Sequence, residues 1–233
     1  MRFYNNTLNQ KFWSEDNKFD PDIRTKLLAI TDDFVENLDL QGVDIHDITL
    51  TGSNSNYNYN EHSDLDVHVL IDFKDINEDE DLVKKSLDGP RFVWNLRHNV
   101  NLRGHDVEMY MQDKDEPHVA SGLYSLKDDK WVTEPSYDPP SIDINDVFKK
   151  AKGIQTDIEI LKEKVSEARG DEARELHEGA KRLKEKISKM RKRGLAREGE
   201  FSVENLAFKV LRNTEAIGDL IDIISGSYDR IYT

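Results

Sequence analysis

The sequence contains no cysteine in its 233 residues. Disulfides, thiolate zinc sites and cysteine nucleophiles are thereby excluded, and any metal must be held by oxygen or imidazole. Imidazole is itself sparse: there are seven histidines, none in an HxxxH or HxH arrangement, so no zinc site is assigned. Long apolar runs are also missing. None approaches the about 18 residues of a membrane span, and the opening MRFYNNTLNQKFW lacks the apolar stretch of a secretory signal, so a cytoplasmic protein without a membrane partner is expected.

What the chain has in plenty is charge. Charged residues make up 34% of it against 36% hydrophobic, and the formal net charge is −14. The balance is uneven: residues 1–150 carry a net −15 and residues 151–233 a net +1. Such asymmetry suggests two regions with different tasks. The acidic region would repel a long polyanion unless bound cations or the second region offset its field.

Asp20-Pro21 reads as an N-cap followed by proline at the first helical position, with Ile23, Leu27, Ile30, Phe34 and Leu38 recurring at helical spacing. Ile48 and Leu50 suggest a short strand ending at Gly52, and LDVHVLIDF (65–73) alternates as a half-buried strand does. A helix over 79–98 follows, carrying Leu82, Leu87, Phe92, Val93 and Leu96; Gly104 then opens a third strand, HDVEMYM. GLYSLKDDKWVT reads as a hairpin. PSYDPPSID (135–143) concentrates proline, serine and aspartate, and beyond it the apolar period lengthens. Ile154, Ile158, Leu161, Val165 and Ala168, then Leu176, Ala180, Leu183, Ile187 and Met190, predict an antiparallel helical hairpin. One final helix from Ser202 through Ile224 would pack on it.

Residues 51–73 read TGSNSNYNYNEHSDLDVHVLIDF. Positions i and i+2 of a strand share a face, so Asp64 and Asp66 can converge on divalent ions. Magnesium prefers oxygen, keeps several waters and is typically held by one or two carboxylates plus substrate phosphates. Two such ions would activate an attacking hydroxyl and neutralise a leaving pyrophosphate. Gly52 allows close backbone approach, while the Ser53 hydroxyl and the amides of a following helix N-terminus could hold phosphate oxygens. His68 shares the parity of Asp64 and Asp66 and reads as a structural strand histidine or a neighbour of the metals.

Gly52-Ser53 followed by Asp64-x-Asp66 on a strand resembles the signature of the polymerase-beta-like nucleotidyltransferase superfamily. The motif covers residues 48–110, and the whole chain also resembles predicted nucleotidyltransferases of tailed phages, implying the cytoplasm of an infected bacterium. In that superfamily a third metal carboxylate lies on a later, adjacent strand. Glu108 is the best match, and Asp106 has the same parity. The resemblance implies an α/β fold in which a small mixed-sheet catalytic domain (1–140) is followed by a helical-bundle domain (141–233), with the nucleotide in the cleft between them. It also implies a reaction: transfer of a nucleoside monophosphate from ATP or another nucleoside triphosphate to an acceptor hydroxyl, with release of pyrophosphate. Asp64, Asp66 and Glu108 would hold two Mg²⁺ or Mn²⁺ ions, and Gly52 and Ser53 would seat the phosphates. Helical-domain cations often meet the triphosphate in this superfamily, and Lys209 and Arg212, one turn apart, are candidates.

Residues 181–197 hold nine Lys+Arg and one acidic residue, Glu185. This run reads as a solvated helix face or as a platform for triphosphate or an RNA acceptor, with Arg191, Lys192, Arg193 and Arg197 near the helix end and a turn at Gly194. The alternative function is a nucleotidyltransferase fold without turnover, serving as a nucleotide- or RNA-binding or regulatory module.

Overall fold

The Asp20 carboxylate accepts hydrogen bonds from the backbone N–H groups of Asp22 and Ile23 and starts helix α1 (Pro21–Asn37), as its place before proline predicts. The computed structural model, which describes residues 3–40, 42–118, 120–138 and 141–232, is mixed α/β and divides into two compact units, Met1–Pro139 and Pro140–Thr233.

The first unit is built on one mixed sheet of β1 (Ile45–Thr51), β2 (Leu65–Ile71), β3 (Asn101–Leu102), β4 (His105–Asp113), β5 (Leu123–Ser125) and β6 (Lys130–Thr133), in the order β3-β4-β2-β1-β5-β6. β2 runs antiparallel to β1 and parallel to β4. A parallel pair needs a crossover, and here it contains helix α2 (Glu80–Arg97). Leu65, Val67, Val69 and Ile71 alternate onto one face with Ile48, Leu50, Val107 and Met109, and pack there against Ile23, Leu27 and Phe34 of α1 and Val83, Leu87 and Trp94 of α2.

α2 is rotated from the sequence expectation. Leu87 is buried as predicted, but Leu82, Phe92, Val93 and Leu96 are 54%, 60%, 41% and 73% exposed. Two contacts set the rotation. Trp94 packs edge-on to Phe34 at 5.2 Å, and the Asn95 side chain both donates to the Met109 carbonyl (2.9 Å) and accepts from its N–H (3.0 Å), pairing the edge of β4. Residues 3–19 have no periodicity that a sequence reading could use, yet Leu8, Phe12, Trp13 and Phe19 are all core. Trp13 stacks on Trp131 at 4.4 Å and meets Tyr124 edge-on at 5.0 Å, fastening this segment to β5 and β6.

The second unit consists of α3 (Ile144–Glu167), α4 (Gly170–Glu198), α5 (Val203–Asn213) and α6 (Ala216–Ile231). Three expectations are corrected here. α3 and α4 touch each other little; α3 packs chiefly on α5 and α4 on α6. The single final helix is two, because the Thr214 hydroxyl turns back to the Val210 and Leu211 carbonyls and Glu215 takes a left-handed conformation (φ 60°). Gly194 is no turn but lies inside α4, where a Cβ would come within 2.6 Å of the Glu204 Cβ and Ser202 Oγ, so glycine lets the start of α5 close on α4. His177 fills a core position, its Nδ1 lying 3.1 Å from both the Ile224 carbonyl and the Ser227 hydroxyl.

Candidate functional site

One face of the sheet is occupied by the core, and the polar residues gather on the other. Register sets Asp66 opposite Glu108 and His68 opposite Tyr110 across the parallel β2–β4 pair, and Thr51 opposite Asp66 and Thr49 opposite His68 across β1–β2. Directly paired residues point the same way, so these six side chains share a face. Asp64 lies one residue before β2; Asp64, Asp66 and Glu108 are all half-buried. Asp106 is exposed, and its Oδ1 accepts from Asn101 Nδ2 at 2.7 Å.

The turn after β1 fits against this row. Gly52 has φ 74°, and a Cβ on it would lie 2.0 Å from Asp66 Oδ2, so both its conformation and the approach of that carboxylate require glycine. The expected helix N-terminus is only a single 3-10 turn, Ser53–Ser55, and the Ser53 hydroxyl donates to Ser63 Oγ at 2.9 Å. Its local role is therefore to tie the two ends of the 53–63 loop together.

Asn54, which the sequence reading passed over, organises that loop. Its Nδ2 donates to the carbonyls of Ser63 (3.1 Å) and Asp64 (2.9 Å), while its Oδ1 accepts from Asn9 Nδ2 at 2.8 Å. Trp13 Nε1 donates to the Asn54 carbonyl at 2.7 Å, so the N-terminal segment braces the backbone that presents Asp64. Buried His105 joins in, with Nδ1 2.6 Å from the Ser63 carbonyl. A carbonyl only accepts, so Nδ1 carries the proton, and burial lowers the His105 pKa in favour of the neutral ring. Gly122 belongs to the same brace: a Cβ there would fall 1.9 Å from the Ser55 carbonyl oxygen. An asparagine in a loop and a histidine at the start of a strand are the only sequence signals Asn54 and His105 carry.

Within the polar face, the Tyr110 hydroxyl donates to Glu108 Oε2. Burial, then this hydrogen bond, then the negative charges of Asp66 and Glu108 drive the Tyr110 pKa strongly upward, so it stays a donor. His68 stacks on Tyr110 at 4.7 Å and holds Gln112 Oε1 at 2.7 Å through Nδ1; burial lowers its pKa and favours the neutral form. The Arg91 guanidinium from α2 lies 5.0 Å from the Tyr110 ring centroid. Buried Thr49 Oγ1 and His118 Nε2 have no hydrogen-bond partner among the described residues, and the His118 ring is 6.5 Å from that of His68. This face therefore has unused hydrogen-bonding capacity beside its carboxylates.

Among the described residues no three His, Asp or Glu side chains stand close enough to form a ready-made metal cage. The donor chemistry nevertheless suits a hard divalent ion, since Asp66 and Glu108 offer carboxylate oxygens from neighbouring strands and magnesium needs only one or two such ligands when phosphate and water complete its shell.

The remaining candidates lie in the second unit. On α5, Lys209 is half-buried and Arg212 exposed. On α4, Arg191 is half-buried, its guanidinium 4.3 Å from the Phe208 ring centroid and its Nε donating to Asn205 Oδ1 at 3.1 Å. It does not share the exposure of its neighbours Lys192 and Arg193. Arg197 is exposed and pairs with Glu198 (2.8 Å) and Glu204 (3.4 Å). Compared with protein-family models, with curated proteins and with solved structures, the chain finds no match in any of the three.

Proposed function

We propose that the protein is a metal-dependent nucleotidyltransferase whose first unit is the catalytic domain and whose second is an appended helical domain. The observation that carries this reading is the in-register pair Asp66 and Glu108 on adjacent parallel strands, with the Asp66 carboxylate seated against Gly52 in the turn that leaves β1. Asp64, Asp66 and Glu108 hold Mg²⁺ or Mn²⁺ together with the phosphates of a nucleoside triphosphate. When bound, the ions supply charge neutralisation at the transferring phosphoryl group and a lowered pKa at the attacking hydroxyl. Such transfers rest on positioning and electrostatics, so no side-chain nucleophile is needed. Tyr110 fixes the Glu108 carboxylate by its hydrogen bond, and Asn54 fixes the backbone of Asp64. The acceptor assigned is RNA, which the basic run of residues 181–197 favours.

A second reading has its own support. Tyr110 already occupies an oxygen of Glu108, and no three-carboxylate group is pre-assembled among the described residues, which favours a nucleotide-binding module without turnover. Incubation with Mg²⁺ or Mn²⁺, each labelled nucleoside triphosphate and pools of RNA separates the two. Metal-dependent pyrophosphate release that disappears in the folded Asp64→Asn, Asp66→Asn double variant is expected. Nucleotide binding without turnover under every condition would leave the binding module, and turnover undiminished in the variant would remove the assignment of both aspartates.

A further inference from the structure

Five cations of α4, Arg182, Lys186, Lys189, Arg193 and Arg197, recur at intervals of four, three, four and four residues. At about 100° per residue they fall within a stripe about 80° wide, beside the buried seam of Leu183 and Ile187. All five are exposed and line one groove of about 610 Å³, whose floor includes Ile154 of α3 together with Leu183, Ile187 and Met190. The groove exists because α3 and α4 pack on the other helices more than on each other.

The pairing of these cations is uneven. Lys189 lies 3.1 Å from Glu185, and Arg197 is held by Glu198 and Glu204. Lys186 and Arg193 make no hydrogen bond or ion pair with any described residue, and Arg182 acts only through its charge on Glu178, one turn away. Unpaired like charges along one stripe repel one another, an arrangement that a bound polyanion relieves.

Three features choose the polyanion. Leu183, Ile187 and Ile154 are only 8%, 3% and 9% exposed, so an amphipathic helix laid in the groove would gain little apolar burial. From Arg182 to Arg197 the stripe runs about 22 Å along the helix axis, at about 1.5 Å per residue, which calls for a chain of phosphates longer than one triphosphate. Among the described residues no aromatic side chain lines the groove, so bases have nothing to stack on and the contacts fall to the backbone.

We propose that this stripe binds the sugar-phosphate backbone of a base-paired RNA stem, independently of base sequence. The choice of RNA over DNA rests on the transfer reaction proposed above; the contact with a phosphate backbone does not. Arg182, Lys186 and Arg193 are its principal contacts. Arg191, committed to Phe208 and Asn205, takes no part.

The test is fluorescence anisotropy of the full chain with a labelled RNA hairpin across a salt series. Five phosphate contacts predict a slope of log affinity against log salt near about −4, and Arg182→Gln, Lys186→Gln, Arg193→Gln together should make it shallower by about 2 to 3. At about 200 mM salt the triple variant should bind at least about tenfold more weakly. Circular dichroism and the melting temperature should match the parent, since Lys186 and Arg193 pair with no described residue and Arg182 acts only through its charge on Glu178 at the exposed surface. An unchanged slope and affinity in the triple variant would overturn the proposal. So would a DNA duplex of the same sequence binding as tightly as the RNA, or polyglutamate competing as well per charge, the latter marking the groove as a dock for acidic protein. The hairpin titration is run without nucleotide or divalent ion, so if the triple variant weakens binding as expected and no turnover is ever found, the catalytic reading fails while the phosphate-backbone surface stands.

Discussion

In the first unit, buried polar side chains such as Asn54, His105 and Asp113 direct their hydrogen bonds at particular backbone groups in other segments of the chain. In the second, the seam is aliphatic and alanine-rich, and many polar contacts are ion pairs at the surface, such as Lys162 with Asp219. A seam of Ala, Leu, Ile and Val is specified by its period and tolerates exchange of like for like. A buried amide with three partners has no substitute of the same shape and bonding. The unit carrying the candidate carboxylates is thus the one whose geometry depends more on individual residues, although Gly194 and His177 hold such positions in the second.

Trp13→Ala should break this comparison most severely. It removes a fully buried ring from the core of the first unit together with the hydrogen bond to Asn54, and should cost about 3–5 kcal/mol. Near-ultraviolet and tryptophan signals should be lost at lower denaturant while the far-ultraviolet signal of the helical unit persists. Loss of both signals together, with the same midpoint shift, would mean that the two units do not differ in this way.

Asn54→Ala comes next. It leaves Asn9 Nδ2 and two loop carbonyls without their partner and should destabilise the first unit by about 1–3 kcal/mol. A parent-like denaturation midpoint would show that the loop does not depend on this amide.

Acidification should act through the histidines of the first unit. Burial depresses the pKa of His68, His105 and His118, so the unfolded chain, with values near about 6.5, binds more protons as the pH falls. Their contribution is fully present above that value and is lost on acidification towards the lowered folded values. The melting temperature of the first unit should therefore drop below about pH 6.5, and His105→Gln should lessen that drop. An identical pH slope in the variant would remove His105 from the explanation. The smallest effect belongs to the surface of the second unit: Lys162→Ala breaks an exposed pair and should leave the melting temperature unchanged. A clear fall in melting temperature would mean that surface pairs matter more there than its seam.

What could be read in advance follows the same division. The heptad-like rhythm announced α3 and α4, because period and burial are the same information in a helix that packs along its length. It could not announce the break at Glu215, which depends on a hydroxyl turning back and one left-handed residue. Alternation gave β2 and the parity of Asp64, Asp66, Glu108 and Asp106, but parity cannot tell which of the last two lies opposite Asp66. The parallel register with β2 places Glu108 there and leaves Asp106 paired with Asn101 at the exposed end. The apolar residues of α2 suggested one face, yet an edge-on contact between Trp94 and Phe34 and a backbone clasp by Asn95 turned another inward. Asn9, Trp13 and Asn54 were silent for a related reason. Their roles arise between segments distant in the chain, where spacing carries no signal.

If Asp66 and Glu108 together bind a divalent ion as proposed, titration of Mn²⁺ by electron paramagnetic resonance, with a non-hydrolysable nucleoside triphosphate present, will report it. The parent protein should bind Mn²⁺ saturably. The Asp66→Asn, Glu108→Gln double variant, folded by circular dichroism, should lose affinity by more than the about 10- to 100-fold that outer-shell changes cost. Equal Mn²⁺ affinity in parent and variant, or no protein-dependent binding in either, would contradict the account.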